Sequence, residues 1–225
     1  MSTPNPQTPI SDSFAPYAAL AADLLPHAVP QNAQGQDGSH DLSHLIRVFR
    51  NAMQILAGEG GDGEVLAAAV ILHDCISVEK NHPDRARASQ LAADKASILL
   101  SARGMDGKRV ASIAHAIAAH SFSAGIPPET LEARILQDAD RLDAIGMIGV
   151  ARCFYTAGRI GSALYDPADP QAQSRPLDDR RNAIDHFPAK LLTLADGFTT
   201  PTGQALARKR HQRLERFLAE FIDEI

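Results

Sequence analysis

EVLAAAVILHDCI, residues 64–76, decides the fold. By periodicity alone the run VLAAAVIL (65–72) fits a buried strand as well as a buried helix. Its alanines, and its length once the flanks are counted, favour a helix over about 64–76. The flanks fit the same answer. Leu45, Val48, Phe49, Ala52 and Leu56 recur at helical spacing, as do Val110, Ile113, Ala114 and Ile117, and then Leu214, Phe217, Leu218 and Phe221. Glycine-rich breaks at 58–63 and 103–107 punctuate these stretches, and nothing alternates with period two for more than a few residues. The expected fold is all-α, a single compact domain of eight to ten helices over residues 13–225. Residues 1–12, with three prolines among Ser, Thr, Asn and Gln, are expected to be a mobile tail. QNAQGQDGS (31–39) separates a short N-terminal helix from the body, and Tyr165–Pro176 is long enough for a lid or a surface loop.

Composition narrows the function. The chain has 225 residues, 44% hydrophobic and 22% charged, an ordinary globular mixture. Its net charge of −5 supplies no global basic field, so no nucleic-acid polymer and no anionic membrane is expected as a partner. No apolar run approaches the roughly 20 residues of a membrane span, and the N-terminus does not read as a signal peptide. The two cysteines, Cys75 and Cys153, are too few for a disulfide scaffold and read as reduced thiols of a cytoplasmic protein.

Polar residues then stand where core helices should carry none. His73 follows Leu66, Ala69 and Val70 on one apolar stripe, and Asp74 sits one step round, over Val70 and Ile71. A carboxylate on such a face costs several kcal/mol unless it is paired. His40 and His44 flank the start of the helix that carries Leu45, Val48 and Phe49, and capping by Ser39 or Asp41 would turn His44 inward. QDADRLDAIG (137–146) places Asp138, Asp140 and Asp143 within six residues, with Asp140 and Asp143 on one face. Each place has a plain explanation: an arginine beside the His-Asp pair, or an acidic stripe partnered by Arg134 and Arg141. Together they offer two imidazoles and two or three carboxylates on separate helices. One divalent ion (Mn, Fe, Co, Ni or Zn) satisfies them all at once.

In that order, HDLSHLIRV (40–48), ILHDC (71–75) and DADRLDAIG (138–146) resemble the motifs of the HD-domain metal-dependent phosphohydrolases. The likeness is to the small stand-alone bacterial branch, through KNHPDRARAS (80–89), HAIAAHSFSAGIPPETLEA (115–133) and IDHFPAKLL (184–192) as well. The resemblance implies one divalent ion (Mn, Ni, Co, Fe, Mg or Zn) held by His44, His73, Asp74 and Asp140. It implies hydrolysis of a phosphate ester or anhydride of a small molecule, a nucleotide foremost, with Asp74 also orienting the attacking water. A bound divalent ion acidifies a coordinated water and polarises a phosphoryl oxygen. Ser77 and Val78 stand where alarmone hydrolases of the superfamily carry acids, and no Gly-Tyr-Pro occurs. The likeness is therefore to plain phosphate-ester or anhydride hydrolysis.

Further residues are candidates around that core. Asp143 is the second carboxylate for proton handling, with a salt bridge to Arg141 or Arg134 as the alternative. Lys80 and His82, at a loop-to-helix boundary near Pro83, are expected substrate contacts, whereas Arg85 and Arg87 read as a solvated helix face. His115 and His120 point about 140° apart on a straight helix, so at most one faces the metal. His120, which ends its helix, is the one expected, as a phosphate contact or a second-metal ligand. His186 and Lys190 read as an ordinary i, i+4 surface pair. From another class, a nucleotide-sensing protein that binds without turnover shares the same motifs, and a purely structural bundle leaves the buried charges unexplained.

Overall fold

A computed structural model describes residues 9–28, 42–76, 78, 87–121 and 124–225. Among them the chain is all-α, with nine α-helices and an isolated bridge between Ala163 and Asn182 in place of any sheet. The chain divides into two compact units, residues 1–140 and 141–225. No described helix is long and apolar enough to cross a membrane.

The first unit is built around α3 (Gly63–Leu72), in which all eight residues from Val65 to Leu72 are buried. That uniform burial is why periodicity could not choose between helix and strand. α3 packs against α1 (Ala18–Ala28), α2 (Leu42–Glu59) and α5 (Gly107–His120), and α4 (Ala88–Ala102) lies along α5. Its start is fixed by Asp62, whose carboxylate accepts from the backbone of Glu64 and Val65 at 3.0 and 3.1 Å. Arg109 grips the same carboxylate and Glu64, both at 2.7 Å. α3 ends at Leu72, four residues before the expected boundary. His73 still has helical backbone angles, and Asp74 follows in a turn. α6 (Leu131–Asp143) completes the elements that carry the site and runs across the division between the units. Residues 10–12, expected in the mobile tail, belong to a 3₁₀ turn (Ile10–Phe14) whose Phe14 is buried 5.0 Å from the Phe49 ring.

The second unit packs α7 (Gly146–Ile160), the short α8 (His186–Ala189) and α9 (Pro201–Asp223) through Phe154, Phe187, Phe217 and Phe221. Tyr165–Pro176 is a surface loop locked onto itself. Asp169 accepts from the backbone of Gln173 and Ser174 at 2.9 and 2.8 Å, and Arg175 donates to the buried Asp185.

Candidate metal centre

Four ligand-bearing segments meet in the first unit, and three of them are helix C-termini. His44 lies in the first turn of α2, His73 and Asp74 follow the end of α3, His120 ends α5, and Asp140 lies in the last turn of α6. Helix C-termini carry partial negative charge, so three of these ends favour a cation.

The two histidines that close helices use one device. His73 Nδ1 is 2.7 Å from the Val70 carbonyl, and His120 Nδ1 is 2.6 Å from the Ile117 carbonyl. A carbonyl oxygen only accepts, so each Nδ1 carries a proton, and the neutral form of each ring has its lone pair on Nε2. His44 Nε2 stands 3.5 Å from Asp140 Oδ1 and 3.8 Å from Asp74 Oδ2. His73 Nε2 stands 3.5 Å from Asp74 Oδ2 and 4.0 Å from Asp140 Oδ1. His120 Nε2 lies 3.7 Å from Asp74 Oδ1, and its ring meets His73 edge-on at 4.9 Å.

These separations are long for hydrogen bonds, which close at roughly 2.7–3.2 Å. They suit atoms that share an ion, because two ligands each about 2.1 Å from one metal stand no more than about 4.2 Å apart. His73 Nε2 is buried with no hydrogen-bond partner, an arrangement that costs about 1–3 kcal/mol unless something binds there. Two overlapping groups, His44–His73–Asp140 and His73–Asp74–His120, are each able to hold a divalent metal ion, their ligand atoms all within 4.8 Å of one another. The donor set of imidazole and carboxylate fits a first-row transition ion.

The cluster has a closed side and an open side. The side chains of His44, His73 and His120 are 1%, 0% and 8% exposed, whereas those of Asp74 and Asp140 are 30% and 32% exposed. Burial, and next the neighbouring His73, holds the His120 imidazole below the ordinary histidine range against the pull of Asp74 and Asp140. Burial also pushes the thiols of Cys75 and Cys153 up to about 11, so neither is poised as a thiolate.

All four residues expected as ligands are brought together, and His120 joins them. His115 turns away as the helix geometry requires, its Nε2 accepting from the Glu129 backbone at 3.0 Å. Asp143 is not in either ligand group. It is fully buried and paired with Arg152 at 3.0 Å. His186 pairs with Asp179 at 2.8 Å and not with Lys190. Lys80, His82, Arg85 and His40 lie outside the described residues.

Comparison with known proteins agrees with this constellation. Residues 41–145 match the HD domain family. Over 194 residues the sequence is 32% identical to YpgQ of Bacillus subtilis (strain 168), spanning 84% of this chain and 86% of that protein. The chain belongs to the HD-domain family. Solved HD structures share its fold over nearly their whole length. Bacillus subtilis YpgQ in complex with ADP superposes with a TM-score of 0.68 at 29% identity, covering 91% of this HD protein and 97% of that chain. An HD-superfamily hydrolase from Bacillus thuringiensis gives 0.67 at 27% identity, covering 96% and 95%. An HD fold with such a metal-holding cluster supports hydrolase activity in general.

Proposed function

We propose that this HD protein is a metal-dependent phosphohydrolase of the cytoplasm that cleaves a phosphate ester or anhydride of a small molecule, a nucleotide foremost. The observation that carries the proposal is the spacing of the ligand atoms in two overlapping groups, His44–His73–Asp140 and His73–Asp74–His120, long for hydrogen bonds and short enough within each group to share an ion. The nucleotide is favoured by the relative solved with ADP.

An ion bound there supplies an acidified water and a Lewis acid for a phosphoryl oxygen. The chain supplies the rest. His44 and His73 form the dry floor, so water and substrate approach from the side of Asp74 and Asp140. Asp74 faces His44 and His73 through Oδ2 and His120 through Oδ1, an arrangement that supports assigning its carboxylate to ligate the ion and to orient a water at the open side. His120 enters as a ligand or proton acceptor. Its Nδ1 proton is committed to Ile117, and burial opposes the second proton it would need in order to donate to a phosphate. Lys80 and His82 are assigned to the phosphates from their sequence position alone. Asp143, held by Arg152, is assigned to fixing the end of α6 ahead of proton transfer.

The test is a panel of nucleoside mono-, di- and triphosphates and simple phosphate esters, each with Mn²⁺, Mg²⁺, Co²⁺ or Ni²⁺. The readout is released phosphate and pyrophosphate. Release that needs the ion and stops in chelator is expected. Nucleotide binding with no release from any member would replace hydrolysis by sensing.

A further inference from the structure

We propose that Asn51 and Gln137 are positioning residues of the metal centre, each clamping the backbone carbonyl immediately before a ligand. Asn51 Nδ2 donates to the Ala139 carbonyl at 3.0 Å, one residue before Asp140. Gln137 Nε2 donates to the Ala119 carbonyl at 2.9 Å, one residue before His120. Both side chains are buried. The inference rests on the reading of the cluster as a metal site.

The peptide plane explains why these two carbonyls matter. The oxygen of one residue and the Cα of the next belong to the same rigid unit. A donor that fixes the Ala139 oxygen therefore fixes the Cα of Asp140, and one that fixes the Ala119 oxygen fixes the Cα of His120. Metal ligands tolerate displacements of a few tenths of an ångström before coordination changes, so such a clamp acts directly on the site.

The two amides also form a chain across the ligand-bearing helices. Asn51 lies seven residues after His44 on α2, two turns along the same face, and reaches to α6. Gln137 lies one turn before Asp140 on α6 and reaches to α5. Thus α2, α6 and α5, which carry His44, Asp140 and His120, are tied by two hydrogen bonds spanning 88 and 18 residues of sequence. Ala119 lies in the last turn of α5, where helix geometry leaves carbonyls without an intrahelical partner. Ser89 serves the preceding carbonyl, of Ala118, at 2.9 Å. The end of α5 is thus held by two side chains from other helices.

Asn51→Leu and Gln137→Met keep side-chain bulk and remove the donor. Three measurements are made on the full-length metal-free protein: Mn²⁺ affinity by calorimetry, the visible absorption of the Co²⁺ complex, and the melting temperature in chelator. Each variant is expected to weaken Mn²⁺ binding by about tenfold or more and to change the Co²⁺ band. Thr200→Val, which removes the cap of α9 in the other unit, serves as the control. It should lower the melting temperature and leave both metal readouts as in the parent. Variants that melt lower but bind Mn²⁺ and absorb with Co²⁺ like the parent would make these amides ordinary structural ties and overturn the proposal. A parent that takes up no Mn²⁺ would instead remove the metal reading itself. Should either variant fail to fold, Asn51→Ser and Gln137→Asn, which shorten the donor, are read by the same measurements.

Discussion

Asp140 and Asp143 stand one helical turn apart on α6 and meet opposite surroundings. Asp140 is a third exposed, with its carboxylate 3.5 Å from His44 Nε2 and 4.0 Å from His73 Nε2. Asp143 is fully buried against Arg152, with Arg210 also within electrostatic reach. Removing each should therefore do different things. Asp140→Ala is expected to abolish turnover and the metal-dependent rise in melting temperature together. In chelator it should stay within about 0.5 kcal/mol of the parent or gain slightly, because one of two carboxylates crowding the same imidazoles is gone. Asp143→Ala should cost about 2 kcal/mol with or without metal, less than a wholly buried pair because Arg152 can reach solvent. Thermal melts of the three proteins in chelator and in Mn²⁺ distinguish them. A large loss for Asp140→Ala in chelator would defeat its assignment as a ligand.

Among the elements, legibility followed how much a residue's role depends on its own helix. The stripes of α2 and α5 were visible because one face of each is wet, and Leu45, Val48, Phe49, Ile113 and Ile117 are buried as the spacing predicts. Histidines and aspartates on such stripes were visible because they conflict with their neighbours, whereas the choice of His44, His73, Asp74 and Asp140 among them came from the family resemblance. The partner of Asp143 was not visible. It depends on the turn at Gly146, whose φ of +70° disfavours any side chain and where a Cβ would stand 3.1 Å from the Arg210 side chain, and which returns the chain as α7. The clamping amides were equally silent, because a single Asn or Gln in a helix carries no spacing signal. The loop 165–176 was open between lid and surface loop, and its lock turns on Arg175 finding Asp185 ten residues on. That pair makes a pH prediction. Arg175 holds the Asp185 carboxyl below its ordinary range, aided by the Asp178 backbone and opposed by burial. The pair's contribution is therefore complete above the unfolded value of about 3.9 and is lost as pH falls through the lower folded value. Asp185→Asn should cost about 3 kcal/mol near neutrality and flatten the acid limb of melting temperature against pH between about 5 and 2. An unchanged acid limb would show that the pair does not carry it.

Every residue of the two ligand groups lies within residues 1–140, and this locates where a metal should be felt. A ligand that binds only the folded state stabilises by RT ln(1 + [L]/Kd), about 2.7 kcal/mol at a hundredfold excess over Kd. For a chain of this length that corresponds to a rise of roughly 5–10 °C in melting temperature. The gain should not be uniform. The two ligand groups share His73 and draw on α2, the end of α3, α5 and α6, so an ion bound there would make local opening of those helices costlier. Amides of α7 and α9, which carry none of these ligands, feel the ion only through global unfolding. We therefore expect about one ion per chain by elemental analysis and slower hydrogen exchange in Mn²⁺ along α2, α5 and the last turns of α3 and α6. Exchange in α7 and α9 should change least. An ion held at surface carboxylates would slow exchange in none of the four selectively. Equal protection of all helices, or a melting temperature indifferent to Mn²⁺, Co²⁺ and Ni²⁺, would remove the ion from this cluster.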